Sequence, residues 1–296
     1  MGGAGDGTVL HFLDSGSFSL LTRAKEFAAA TGRSEWEFYE TPEFYAYCDG
    51  YAAFVKENRE AIDDYANVDA IPNPDVTWRN QRYLEREHGL SPVPVVHFDT
   101  DLRWLEHYIS RGRHEMIALG GLVGAPSGPA REWLDRCFEV VCDTPDRKPC
   151  VKIHGFGMTS FPLMRRYPWW SVDSASWTKV GAYGSIMVPH RNLKGWDFTR
   201  DPYLVTVSDD SPGMETEGKH WRALAGAARE VVLEWLREID VPFGRMEGGE
   251  VVEQGVTNHH SERKIANLLL FQRFLETVPE YPWAWQRPYK RPRMLG

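Results

Sequence analysis

The sequence predicts an α/β fold, a (β/α)8 barrel of the TIM type with insertions, and three observations lead there. Short runs rich in Val, Ile and Leu recur along the chain with little alternation, as in strands covered on both faces. Helical patterns separate them, and the strand–helix unit repeats roughly every 25 to 30 residues, the mark of a parallel sheet. Eight such runs favour a closed barrel over an open sheet.

The strand candidates are residues 8–13, 66–71, 93–98, 116–119, 150–154, 170–172, 185–188 and 204–207, the last two being the least defined. Residues 36–62 read as a broken, aromatic-rich helical insertion. Residues 77–88 follow Asp75, a candidate N-cap. Residues 101–110 open on Asp101 and set Leu102, Leu105 and Tyr108 at helical spacing. Residues 129–141 begin with Pro129, tolerated in a first turn, and bring Trp133, Cys137, Phe138 and Val141 to one face. Longer amphipathic helices are expected at 219–239 and 261–277, and the Gly- and acid-rich stretch 245–254 reads as an exposed loop. No repeat, low-complexity tract or linker divides the chain. Residues 1–296 are therefore expected to form one catalytic domain ending in a C-terminal helix and basic tail over 255–296.

At 296 residues and 42% hydrophobic, the chain can bury a full core without disulfides. Cys48, Cys137, Cys142 and Cys150 form no CxxC pair; reduced thiols in a cytoplasm are the simplest reading, and a metal site is the alternative. No basic lead and apolar run announce a signal peptide, and no apolar run approaches the roughly 20 residues that span a bilayer. A net charge of −8 argues against a non-specific nucleic-acid coat. It leaves room for a local basic track, either Gln286-Arg287-Pro288-Tyr289-Lys290-Arg291-Pro292-Arg293 or the set Lys148, Lys152, Arg165 and Arg166; each reads equally as solvated surface.

Asp14, Asp69, His97, Gly120, Gly121, His154 and Asp173 fall at or just past the C-terminal ends of candidate strands, the face that holds the active site in such barrels. Asp14, in Asp14-Ser15-Gly16-Ser17-Phe18, sits among small residues that let a ligand approach, or closes an Asx-turn. Asp69 can accept two hydrogen bonds from the N1–H and N2–H2 edge of a guanine-like base, or cap a turn. Gly120 and Gly121 let the chain lie flat against a planar ligand. His154-Gly155-Phe156-Gly157 suits a wall against a flat ring, with a base or a core histidine as alternatives for His154. Asp173 follows Trp169-Trp170 and is flanked by Ser171, Ser174 and Ser176. Such surroundings can hold an ionised carboxylate ready to attack a sugar C1′, or simply cap a strand. Two aspartates in one pocket can break and form a glycosidic bond, one as nucleophile and one as acid/base.

These motifs resemble the tRNA-guanine transglycosylase superfamily, and most of all its phage-associated, DNA-directed branch that inserts 7-deazaguanine bases. The resemblance runs from about residue 10 to 190, with a weaker echo after 255. It is carried by Leu13-Asp14-Ser15-Gly16-Ser17-Phe18, by Ile117-Ala118-Leu119-Gly120-Gly121-Leu122-Val123-Gly124, and by the block from His154 to Trp177. It implies that Asp173 is the covalent nucleophile and Asp14 the general acid/base. Phe18 would stack on one face of the base and His154 would cover the other. Asp69 would read the guanine edge, and Gly120, Gly121 and Leu122 would contact the base through their backbone. His97 stands where the family usually has Gln. The tRNA enzymes carry a CxCxxC…His zinc site, whereas the comparable stretch here reads Val207-Ser208-Asp209-Asp210-Ser211-Pro212, leaving His259-His260 as a remnant. No structural zinc and no cofactor are therefore expected, and DNA is favoured over tRNA as the polynucleotide.

The expectation is thus a cytoplasmic enzyme (host cytoplasm if phage-encoded) that exchanges guanine in DNA for a free 7-deazaguanine. No membrane partner is expected; self-association as a homodimer follows the superfamily's habit. The rivals are a tRNA-directed transglycosylase, a barrel N-glycoside hydrolase using the same carboxylates with water, and a non-catalytic nucleic-acid-binding subunit.

Overall fold

A computed structural model of the chain, mixed α/β, describes residues 10–208 and 220–288. The expected strand start at 8 and 9, the stretch from Asp209 to Pro212 and the basic tail from Tyr289 onward lie outside the described residues. The order is β1 (Phe12–Leu13), α1 (Ser17–Thr31), a 3-10 turn (Glu35–Glu40), α2 (Pro42–Glu57), β2 (Asp64–Tyr65), α3 (Pro74–His88), β3 (Val95–His97), α4 (Arg103–Ser110), β4 (Met116–Gly120), α5 (Ser127–Val141), β5 (Lys152–Gly155), α6 (Phe161–Arg166) and β6 (Ser171–Val172). There follow α7 (Ser176–Ala182), β7 (Ser185–Val188), β8 (His190–Asn192), β9 (Gly195–Asp197), β10 (Tyr203–Thr206), α8 (Gly226–Glu238), β11 (Arg245–Glu247), β12 (Glu250–Glu253) and α9 (His260–Leu275). No described helix is long and apolar enough to cross a membrane.

The chain forms two compact units, the first comprising the described residues up to Met158, Tyr167–Asp173 and those from Glu280. In it, β1 pairs in parallel with β2, an Ala66–Val93 bridge carries the ladder onward, and β3, β4, β5 and β6 pair in parallel in sequence order. This run curls. In a flat sheet, strands four spacings apart lie about 19 Å from one another, yet Phe12 of β1 stacks on His154 of β5 with ring centroids 4.6 Å apart. Phe12, Phe156 and Trp170 pack on Val93, Val95, Met116 and Ala118, so the concave face has its own apolar filling.

The segment 36–62 builds core. Phe38, Tyr39, Phe44, Cys48, Tyr51 and Val55 are buried against Leu20 and Ala24 of α1 and Leu84 of α3. Its α2 starts where Thr41 caps and Pro42 occupies the first turn, the arrangement that an N-terminus favours. Helix α3 likewise begins at Pro74 with Asn73 as cap, three residues before the expected start, because proline at N1 is already set for helix.

The second unit comprises Thr159–Arg166 and Ser174–Pro279. Here the seventh and eighth strand candidates depart from expectation. β7 and β10 pair antiparallel with each other, Tyr203 facing Val188. A parallel return needs a crossover of a dozen or more residues, usually a helix; the chain between them instead forms the β8–β9 hairpin. The pairings among the described residues therefore give six parallel strands and not eight. The stretch expected as a loop at 245–254 is the exposed hairpin of β11 and β12. Helices α7 and α9 pack closely at Gly181, where an added Cβ would lie 3.0 Å from the Lys264 amide nitrogen. Buried Asn267 accepts from the Met187 amide, tying α9 to β7.

Candidate active site

The carboxyl ends of the parallel strands in the first unit surround a cavity of about 280 Å³. Seven expected site residues line it: Asp14, Phe18, Asp69, His97, Gly120, Gly121 and Asp173. Asp14 follows β1, His97 and Gly120 end β3 and β4, and Asp173 follows β6. Phe156 and Gly157 of the expected wall also line it, and Ser17, Leu21, Ile71, Val95 and Val123, to which sequence reasoning gave no site role, complete the lining.

Asp14 is presented by a tight turn. Gly16 adopts φ 72°, an added Cβ there would meet the Tyr47 hydroxyl at 2.8 Å, and its amide donates to Asp14 Oδ1 at 3.2 Å. The Asx-turn and the site residue are thus one feature. Phe18, in the first turn of α1, is 71% exposed and offers its ring to the cavity.

Asp69 lies past the end of β2, on a segment expected to be strand. Its backbone is instead tied to side chains. Asp69 N–H donates to Ser17 Oγ, Ala70 N–H to Thr77 Oγ1, and Asn80 Nδ2 to Val68 O, all at 2.9–3.0 Å. These buried polar groups replace a ladder, and their satisfaction fixes the loop. Asp69 Oδ2 lies 2.6 Å from His97 Nε2, with both residues buried. One oxygen of the expected base reader is therefore engaged with His97.

Two expected residues are placed differently. Gly121, at φ 72°, turns the chain out of strand geometry, and Val123, not Leu122, lines the cavity. His154 lies one layer beneath the wall. Residues two apart share a strand face, so His154 and Phe156 both point inward; Phe156 lines the cavity while His154, 3% exposed, stacks on Phe12 below. Its Nδ1 is 2.8 Å from Ser171 Oγ, and burial pushes its imidazole down to about 4.

Asp14 and Asp173 are open at the cavity mouth, yet enough protein surrounds both to matter electrostatically. Desolvation raises Asp14 above the usual carboxylate value; the Gly16 amide opposes this, and the charges of Asp69 and Asp173 add to it. Desolvation also raises Asp173, opposed by the Gly157 amide, which donates to Oδ1 at 2.5 Å. Gly157 reaches that oxygen from a left-handed conformation, φ 63°.

The basic candidates are largely engaged elsewhere. Lys152 lies 4.6 Å above the Trp170 ring and 3.7 Å from Glu115. Arg165 donates to Thr277, and Arg287 faces Glu132, Asp135 and Glu139. His259 and His260 stack on each other, and among the described residues no three His, Cys, Asp or Glu side chains are gathered to hold a metal.

Comparisons with known families, curated proteins and solved structures found nothing that matches this chain.

Proposed function

We propose that this chain is a pentosyltransferase that exchanges guanine in a polynucleotide, DNA by preference, for a free 7-deazaguanine base. The observation that carries this reading is the convergence of Asp14, Asp69 and Asp173, from three separate strand ends, on one cavity walled by Phe18 and Phe156. In this reading the curled parallel sheet is the larger part of a (β/α)8-type barrel, and the target nucleoside enters the cavity flipped from any duplex. The enzyme acts in a cytoplasm, without a cofactor.

Asp173 attacks C1′ of the target nucleoside, forming a glycosyl ester as the C1′–N9 bond breaks. The departing guanine takes a proton from Asp14. The incoming base returns its N9 proton to Asp14, N9 attacks C1′, and the Asp173 ester bond breaks. Two inversions retain configuration. Asp14 suits the acid role, because desolvation and then two neighbouring charges favour its protonated form. For Asp173 as the nucleophile, desolvation raises its proton affinity, and the Gly157 amide on Oδ1 opposes this and supports the ionised form that attacks. Asp69, steadied by His97, reads the base edge, and Phe18 stacks on the ring.

The test is exchange of radiolabelled guanine into double-stranded DNA, single-stranded DNA and unmodified tRNA, with Asp173→Ala as control. Label entering DNA alone and lost in the variant supports the proposal; label entering tRNA makes the enzyme tRNA-directed. Net release of base without incorporation means a hydrolase, and binding without exchange a non-catalytic subunit.

A further inference from the structure

His154 has no task in the exchange chemistry, yet it lies against the carboxylate that would perform it. Phe12 stacks on its ring at 4.6 Å and 12°, and Phe156 meets it edge-on at 4.6 Å. Nδ1 has Ser171 Oγ at 2.8 Å. Nε2 is buried, makes no hydrogen bond and lies 3.8 Å from Asp173 Oδ1. A buried, neutral imidazole carries one N–H, and the Ser171 hydroxyl can donate to Nδ1 or accept from it. With the lone pair on Nε2, two acceptors would confront each other across 3.8 Å. With the proton on Nε2, a donor faces the carboxylate and Ser171 donates to Nδ1.

We infer that His154 is a positioning residue, held by Ser171 as the Nε2–H tautomer, whose ring N–H closes onto Asp173 Oδ1 when the cavity fills. Hydrogen bonds at catalytic groups are often long in the unoccupied state and tighten with substrate. The Gly157 amide already donates to the same oxygen. Two donors on Oδ1 leave Oδ2 as the atom that forms the bond to C1′, so the pair selects the attacking oxygen as well as supporting its charge. This rests on Asp173 being the nucleophile. The other titratable groups around the cavity are Asp14 after β1, Asp69 after β2 and His97 at the end of β3; His97 is paired with Asp69.

The test reads the resting, full-length protein by NMR. Long-range proton–nitrogen spectra of 15N-histidine-labelled protein, with His154 assigned from His154→Gln, should show protonated Nε2 and bare Nδ1 from pH 5.5 to 8. Ser171→Ala should introduce a population of the Nδ1–H form. The Asp173 carboxyl carbon, assigned from Asp173→Asn, should titrate about half a unit higher in His154→Phe, a stretched version of a charge-assisted hydrogen bond. His154→Gln, which keeps an N–H donor, should titrate closer to wild type. An Nδ1–H tautomer in the wild type overturns the inference, as does an Asp173 titration indifferent to His154→Phe. If His154→Phe does not fold, the Ser171→Ala tautomer decides. None of these readouts uses base exchange, so a failed exchange assay would overturn the proposed function and leave the His154 result standing.

Discussion

Burial pushes the His154 imidazole from 6.5 down to about 4 in the folded chain, while the unfolded chain titrates near the ordinary value. Between these two values the unfolded chain binds a proton that the folded chain does not. Stability therefore rises with pH across this window, is fully present above about 6.5, and is lost as pH falls toward 4. The span of about 2.5 units corresponds to about 3 kcal/mol, of which about 2 kcal/mol is gone by pH 5. The assay is the urea-unfolding free energy of wild type and His154→Phe at steps from pH 8 to 4. Phenylalanine keeps a ring against Phe12 and Phe156 and removes the titration, and subtracting the two curves cancels the titrating groups other than Asp173, whose half-unit response to the substitution amounts to less than about 1 kcal/mol. The wild-type advantage should shrink by about 2 kcal/mol between pH 7.5 and 5 and level off below 4. A difference independent of pH would refute the neutral, buried state of His154. A difference that grows on acidification would mean that His154 takes up a proton and forms an ion pair with Asp173.

Asp14 has the opposite sign: its folded value is raised, by desolvation first and then by Asp69 and Asp173, so ionising it costs stability as pH rises above 3.8. Asp14→Asn, which still accepts from the Gly16 amide, should raise the unfolding midpoint at pH 7 and leave it unchanged near pH 3. Asn80→Ala leaves the buried Val68 carbonyl without its donor and should cost about 1–3 kcal/mol; hydrogen exchange at Asp69 and Ala70 should accelerate, and unchanged protection there would contradict the loop's dependence on Asn80. Gly157→Ala forces a left-handed residue, about 1–2 kcal/mol, and sets its Cβ 2.5 Å from Val123 Cγ2. Adding Val123→Ala should recover only part of the loss in denaturant titrations, because it relieves the contact and not the backbone; complete recovery would place the whole cost in the contact.

The sequence made the site more legible than its surroundings. Chemistry in a parallel α/β unit collects at the carboxyl ends of strands, and Asp14, His97, Gly120 and Asp173 stand there both by that rule and by their motifs. What escaped it depends on partners distant in the chain. Helix α1 was missed because its first turn faces the cavity: Phe18 and Leu21 line it, so they do not join Leu20 and Ala24 in a clean buried stripe. Residues 66–71 look like a strand, and Ala66 and Asn67 do bond to Leu13 and Val93, yet the bonds of Val68, Asp69 and Ala70 go to Asn80, Ser17 and Thr77, whose spacing says nothing of that arrangement. Of the expected wall, Phe156 reaches the cavity and His154 does not, because the sequence gives strand parity but not depth. Residues 185–188 and 204–207 read correctly as strands, and only the hairpin between them reveals their antiparallel pairing.

The aromatic segment 36–62 shows how the outer layer reaches the chemistry. Tyr47 Oη donates to Ser15 O at 2.6 Å, and Tyr51 Oη donates to Ala66 O at 2.7 Å. One tyrosine braces the turn after Asp14 and the other the strand end that leads to Asp69, both from the same face of α2. Ser17 links the two loops again, meeting Ser15 Oγ at 2.8 Å and accepting from Asp69 N–H. Two carboxylates 55 residues apart in sequence are thus held by one helix and one serine. Like charges so placed repel, and Coulomb repulsion alone would drive the loops apart; the fixed carbonyl and hydroxyl bonds hold the geometry in which Asp14 feels the charge of Asp69. The aromatic core behind α2 supplies rigidity to those bonds, since Phe38, Tyr39 and Phe44 leave the helix no room to shift. Desolvation is the first cause of the raised proton affinity of Asp14, and packing on the far side of the helix adds to it by keeping the charge of Asp69 in place.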